Sequence, residues 1–340
     1  MDILITGGSG FLGARLARSL LAQSSLSLAG QPTASIQRLW LTDRVAVPAD
    51  LAADPRVHGV VGDLSDLIAQ QALPLQSVDA VVHLAAAVSA ECEADLDLGL
   101  RSNLQASLDL LQGLRQRTQP AVFVFASSVA VFGAPAGMQL PPSISDAHMP
   151  TPQSSYGSQK FMVEQLVADF HRRGLIQGRN VRLMTVAIRP GRPNGAASSF
   201  LSGMLREPLA GQRSTVPVSP DTPVALSSPG RTVEGLMMAL SASEATWGPP
   251  TAVNLPALST TVGEMAQTLA QLAGPEAAQR LDWVPDERIA KIVGGWPARI
   301  EAERARRMGL QADASMADLV LAYAADHPEA LSAPLQRKSA

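Results

Sequence analysis

The chain has little cysteine, lysine or tyrosine, and each scarcity is informative. Cys92 is the only cysteine, so no disulfide can form within the chain and a reducing compartment is expected. Cys92 itself reads as a small buried apolar residue. No apolar run reaches the roughly 20 residues that a membrane-spanning helix needs. The chain opens directly on a strand and a glycine loop, which leaves no room for a signal peptide. A cytoplasmic protein with no membrane partner is therefore expected. Neither sign of charge dominates: the net charge is −3 over 340 residues, which gives no reason to expect nucleic acid as a partner. No cluster of metal-ligating residues is visible, so no metal is expected. What remains, 46% hydrophobic residues, suits a packed globular protein of one or two lobes.

Against this scarcity, one pair stands out. The chain has two tyrosines and three lysines, and Tyr156 is followed four residues later by Lys160. On a helix, positions i and i+4 share a face, so the ammonium can sit beside the phenol. A free phenol titrates near ~10 and is a poor base at neutral pH. A neighbouring positive charge favours the phenolate and brings it toward working range.

The first half of the chain alternates short apolar strands with helical patterns. Strands are expected at 3–6, 38–43, 57–63, 80–85, 122–127 and 181–189, and helices at 12–22, 98–117 and 156–173. The strands are nearly continuous apolar runs, as in a parallel sheet buried on both faces. The rhythm predicts an α/β, Rossmann-type doubly wound sheet over residues 1–190. Residues 191–231 are rich in Gly, Pro, Ser and Arg and read as a loop-heavy start to a smaller C-terminal substrate lobe, 191–326, with segments near 225–256 returning to the main domain. Helices are expected at 231–240 and 261–273, a strand at 252–255, and helix, turn, helix over 298–325 with the turn near Gly309. The tail, 327–340, reads as frayed.

Gly7, Gly10 and Gly13, with Phe11 and Leu12 between them, follow the first strand and open the first helix. Glycine permits the tight turn and the close approach of backbone to a pyrophosphate, and the helix N-terminus supplies N–H donors. Asp43 ends the second strand, where a carboxylate accepts from an adenosine ribose and repels a 2′-phosphate, so NAD is favoured over NADP. Asp43 lies 30 residues after Gly13, beyond the usual ~20. A polar surface loop at 23–35 accounts for the excess. Arg44, next in the chain, is the one residue there that could tolerate a phosphate. Asp63 and Leu64 end the third strand, and His83, Leu84, Ala85 and Ala86 the fourth, where ligands bind in open α/β sheets. Asp63 is placed to contact the adenine amino group. The two alanines let a cofactor lie close to the backbone, and His83 reads as a packed strand residue.

These pieces, together with Asn103, Ser127-Ser128-Val129-Ala130-Val131-Phe132-Gly133, Tyr156-x-x-x-Lys160 and Arg189-Pro190-Gly191, resemble the extended short-chain dehydrogenases/reductases, the group that includes NAD-dependent sugar epimerases and dehydratases. The resemblance implies NAD as cofactor, Tyr156 as acid/base, Lys160 as the residue that tunes it and holds the nicotinamide ribose, and Ser128 as the catalytic hydroxyl. It implies a water and proton path through Asn103, with Pro190 passing the nicotinamide. Phe132 replaces the family's usual tyrosine. Where the dehydratases carry Asp-Glu after the hydroxyl residue, this chain has Val129-Ala130, which have no proton to exchange, so dehydration is not expected.

The segments 189–200, 206–211 and 220–229, with Val88-Ser89, look like those of the D-erythronate dehydrogenase branch of that group. The branch implies oxidation of the C2 hydroxyl of a small sugar acid. It implies substrate contacts at Ser89, Ser127, Ser128, Tyr156, Asn194 and Ser199. A carboxylate suits a guanidinium fork, and Arg192 and then Arg231 are the candidates. Two other readings stay open: an epimerase of nucleotide sugars that keeps its NAD bound, and a non-catalytic dinucleotide sensor. Apolar residues on more than one face of the 98–117 and 156–173 helices suggest a homodimer.

Overall fold

The computed structural model describes residues 1–191 and 196–335. Twelve strands are formed among the described residues: β1 Asp2–Thr6, β2 Arg38–Asp43, β3 Val57–Val61, β4 Ala80–His83, β5 Val122–Ser128, β6 Gln177–Leu183, β7 Thr185–Val186, β8 Ser214–Val216, β9 Pro223–Ser227, β10 Val253–Asn254, β11 Leu258–Thr261 and β12 Leu281–Trp283. Contacts divide the chain into two units. The first comprises Met1–Val131, Ser155–Arg182 and Val233–Asn254; the second comprises Phe132–Ser154, Leu183–Thr232 and Leu255–Ala340.

The first unit is built on a parallel sheet of order β10-β6-β5-β4-β1-β2-β3. β1 pairs with β2 on one side and β4 on the other. The strand order reverses between β1 and β4, and the crevice beyond their carboxyl ends is where doubly wound sheets bind ligands. β1, β4 and most of β5 are buried throughout, which explains their unbroken apolar runs. Leu4, Val81, Phe123 and Phe125 from these strands pack with Leu110, Leu114, Val163 and Val167 from two helices in one core.

In the second unit, a three-stranded sheet of order β11-β9-β7 and a β12-β8 pair surround a separate apolar core. Among the described residues, no helix is long and apolar enough to cross a membrane.

Four features differ from the sequence reading. The 191–231 region is not mainly loop. It holds the helix Ser199–Leu209, whose Leu201, Met204, Leu205 and Leu209 are buried in the second core. Gly203 and Pro208 weaken its helical signal in sequence, and packing overrides that weakness. The 181–189 strand is two strands. β6 starts earlier, at Gln177, and β7 leaves for the other sheet. The 23–35 insertion is not a wholly exposed loop. Leu26 and Leu28 are buried, and the amides of Ala29 and Gly30 donate to the carbonyls of Leu240 and Ser241. Finally, the division between units falls at Leu183 and not at 190, and Phe132–Ser154 belongs with the second unit.

Candidate active site

The glycine loop is fixed by sterics. Gly7 has φ +70°, a left-handed conformation that side chains disfavour, and a Cβ there would lie 2.9 Å from the Ala85 amide nitrogen. A Cβ on Gly13 would fall 2.1 Å from the Gly7 carbonyl oxygen. The loop therefore lies directly on the end of β4, and the helix Phe11–Leu21 follows it. A helix start beside a surface that only glycine leaves open is a candidate cradle for a diphosphate. It fits the NAD expected from the sequence.

The acidic residues around the cradle are already engaged. Asp43 at the end of β2 accepts hydrogen bonds from the amides of Ser9 and Gly10, both at 3.1 Å, and from the Arg44 amide at 2.7 Å. It braces the loop from the position where a ribose contact is expected. Asp63 caps the helix Leu64–Ala69 through the Ser65 amide. It also pairs with the Arg44 guanidinium at 3.2 Å. Arg44 is thus drawn toward a carboxylate.

His83 is a core residue. Its Nδ1 lies 2.6 Å from Thr6 Oγ1 and its Nε2 2.9 Å from Ser107 Oγ. Burial, reinforced by the Lys160 charge, holds its pKa down to about 3, so the ring is neutral.

The candidate reacting groups, Ser128, Tyr156 and Lys160, lie at the end of β5 and on the helix Ser155–Arg172. Ser128, the last residue of β5, accepts from the Ala130 amide at 3.1 Å within the tight turn Val129–Val131. Lys160 lies one helical turn after Tyr156. Its Nζ is 5.6 Å from the centroid of the tyrosine ring and 4.7 Å from that of Phe125, and donates to the Ala126 carbonyl at 2.8 Å. Lys160 is buried, and desolvation lowers its pKa to about 8; the neighbouring Cys92 and Glu164 work against that loss. The start of the helix is anchored by the Ser155 amide donating to Glu93.

Asn103 sits in a π-helical segment, Leu100–Gln105, that interrupts the long helix expected at 98–117. Its Oδ1 accepts from the Ala87 amide, and its Nδ2 donates to the Ala87 carbonyl, Cys92 Sγ and Gln159 Oε1. This buried side chain ties three segments together. Ser127 is buried, and its hydroxyl donates to Glu164. The hydroxyl expected to contact substrate is thus engaged in a core hydrogen bond. Strand alternation explains it, since neighbouring residues of a strand point to opposite faces.

Ser89 starts the helix Ser89–Ala94 and is buried. Sequence reading missed Glu164 and Gln159. Glu164 could have been found at i+4 from Lys160, on the same helical face.

In the second unit, Phe132 packs against the His148 ring. Ser199 opens the helix Ser199–Leu209, and Pro190 is partly buried. The Arg189 guanidinium donates to the Val186 carbonyl, and Arg206 donates to the Arg189 carbonyl. The Arg231 amide donates to Ser228 Oγ at the start of the helix Pro229–Ser241. Arg192 and Asn194, expected to bind substrate, lie outside the described residues. Among the described residues, no group of three or more His, Cys, Asp or Glu could hold a metal.

The chain is similar to several known proteins over most of its length. A D-erythronate dehydrogenase of Cupriavidus necator is 47% identical over 327 residues, covering 96% of this chain and 98% of the relative. A D-erythronate dehydrogenase of Haemophilus influenzae is 39% identical over 94% of this chain and 98% of its own length. The crystal structure of a nucleoside-diphosphate-sugar epimerase from Agrobacterium tumefaciens superposes with a TM-score of 0.87 at 36% identity, covering 97% of this chain and 95% of that one. Residues 3–226 match the NAD dependent epimerase/dehydratase family, and with the glycine cradle, the Ser128 turn and the Tyr156–Lys160 pair in place, the chain belongs to that family.

Proposed function

We propose that the chain is an NAD-dependent dehydrogenase that oxidises the C2 hydroxyl of a small sugar acid, D-erythronate to 2-dehydro-D-erythronate. The observation that carries this reading is the full-length likeness to two D-erythronate dehydrogenases, joined to a tyrosine and a buried lysine one helical turn apart.

Gly7, Gly10 and Gly13, with the start of the helix Phe11–Leu21, would hold the cofactor's diphosphate, and Asp43 and Asp63 its adenosine. Lys160 would hold the nicotinamide ribose. NAD, when bound, supplies a hydride acceptor. The protein's part is to move the proton. Tyr156, as phenolate, takes the proton of the C2 hydroxyl. The Lys160 ammonium beside it stabilises that anion. Ser128 donates a hydrogen bond to the alcohol oxygen and orients it. Asn103 holds the segments around Lys160 in place. Arg192 and Arg231 are the candidates for the substrate carboxylate, with Asn194 and Ser199 as hydroxyl partners. Val129 and Ala130 leave no acid or base for dehydration.

The likeness to the Agrobacterium epimerase favours one second reading, an epimerase that oxidises its sugar only transiently. The two are separated by following NADH formation with NAD and a panel of four-carbon sugar acids, NADP run beside it. Net NADH from D-erythronate is expected. No net NADH, with NAD retained through purification, favours the epimerase.

We also place the protein in the cytoplasm, where its single thiol stays reduced, and assign it a homodimeric state. Exposed Leu96 and Met162, on the helices Leu96–Gly99 and Ser155–Arg172, support the latter. Sedimentation at twice the chain mass is the expected result.

A further inference from the structure

Behind the reacting groups lies a buried ion pair that the mechanism above does not use. Glu164 accepts from Arg182 Nε at 2.9 Å and Nη2 at 2.7 Å. The same carboxylate accepts the Ser127 hydroxyl at 2.5 Å. Asn180 Nδ2 donates to the Glu164 carbonyl oxygen at 3.0 Å, and Arg182 Nη1 reaches Asn254 Oδ1 at 3.5 Å. Glu164 and Arg182 are 2% and 5% exposed, so both charges are withdrawn from water. Such a pair contributes little stability beyond what a well-packed apolar pair of the same size would give. Stability alone is thus a poor account of it.

Its connections suggest another. Lys160 and Glu164 are one turn apart on the helix Ser155–Arg172. Lys160 bonds the Ala126 carbonyl, and Glu164 bonds the next side chain, Ser127. Two successive turns of the helix are therefore laced to two successive residues of β5, immediately before Ser128. We propose that Glu164, clamped by Arg182, is a positioning residue: it fixes the end of β5 and the Tyr156–Lys160 helix in one register, and sets a negative charge one turn from Lys160. This rests on the reading of Ser128, Tyr156 and Lys160 as the reacting groups.

The electrostatic surroundings of Lys160 are few. Tyr156 and Glu164 lie on its own helix, Cys92 on the helix Ser89–Ala94, and the neutral His83 on β4. Arg182, on β6, faces Glu164. Removing the Glu164 charge takes away an anion that supports the Lys160 ammonium. That favours the neutral form of Lys160, which stabilises the phenolate less.

The test uses Glu164→Gln and the double change Glu164→Leu/Arg182→Met, which removes both charges and keeps the volume. The chain has only three lysines, Lys160, Lys291 and Lys338, so NMR of ε-13C-lysine can follow Lys160 directly. Calorimetric titration gives NAD affinity.

For Glu164→Gln, kcat with D-erythronate is expected to fall about 10- to 100-fold, as a misplaced reacting group does, while KM and NAD affinity stay within about threefold. The Lys160 midpoint should drop by about half a pH unit or more. The double variant should keep the wild-type melting temperature and still lose turnover, because the bond to Ser127 is gone. A folded double variant with wild-type kcat overturns the proposal, as does Glu164→Gln with an unmoved Lys160 midpoint and wild-type turnover. Failure of the functional reading looks different. The wild type would then be silent on sugar acids, yet the Lys160 midpoint would still drop in Glu164→Gln, so the charge effect of Glu164 is read apart from turnover.

Discussion

The two units use their polar groups differently. In the first, Asn103, Gln159, Lys160, Glu164 and Arg182 are all buried and hydrogen-bonded, and Lys160 and Glu164 hold the end of β5. In the second, the helix Ser199–Leu209 turns an apolar face into the core, and Arg206 reaches the Arg189 carbonyl. The first arrangement suits reacting groups, which need fixed geometry. The second packs an apolar helix face into its own core beside residues proposed to bind the sugar acid. The comparison predicts that changes in the first unit alter rate or cofactor binding, and that changes in the second alter substrate affinity.

The largest expected effect is at Tyr156. Tyr156→Phe should lower kcat about 10³-fold, within the range of a lost general base, with NAD affinity unchanged by calorimetry. Near-wild-type turnover would remove Tyr156 from the mechanism. Next is the cradle. Gly13→Ala places a Cβ 2.1 Å from the Gly7 carbonyl and should weaken NAD binding about a hundredfold, since the loop must move from the diphosphate. Unchanged NAD affinity would show that the loop yields at no cost to binding.

On the second unit, Arg231→Ala should raise KM for the sugar acid about tenfold, the scale of one lost charged hydrogen bond, and leave NAD affinity alone. An unchanged KM would shift the carboxylate contact elsewhere.

The smallest effect concerns His83. The native state holds it neutral down to about pH 3, whereas an unfolded histidine takes up a proton near 6.5. Between those values the unfolded chain binds more protons, so stability falls as pH falls. At pH 5.5 the folding equilibrium should be about tenfold weaker from this residue. Replacing it, as in His83→Gln, should flatten the loss seen in denaturant titrations between pH 6.5 and 5.5. An equally steep loss in the variant would place the acid sensitivity on another group.

The same contrast governs what the sequence discloses. Gly7 and Gly13 are legible because backbone geometry permits nothing else there, and Tyr156 and Lys160 because a helix fixes what i and i+4 share. The buried parallel strands announce themselves as apolar runs, so even the two-residue β10 falls inside the stretch expected for it. Side-chain context is less visible. Ser127 and Ser128 are alike in sequence, and only strand alternation sends one to Glu164 and the other to the turn. The π-helical segment around Asn103 leaves no mark in composition. The helix Ser199–Leu209 is masked by Gly203 and Pro208, and the burial of Leu26 and Leu28 by the polar residues around them.

The most direct test of the central claim is the fate of the C2 hydrogen. Purified protein is given NAD and D-erythronate deuterated at C2, and the reduced cofactor is weighed by mass spectrometry. The account predicts that the cofactor gains the deuterium and that turnover yields 2-dehydro-D-erythronate. Reduced cofactor without the label, or no reduction by folded protein that binds NAD, would contradict it.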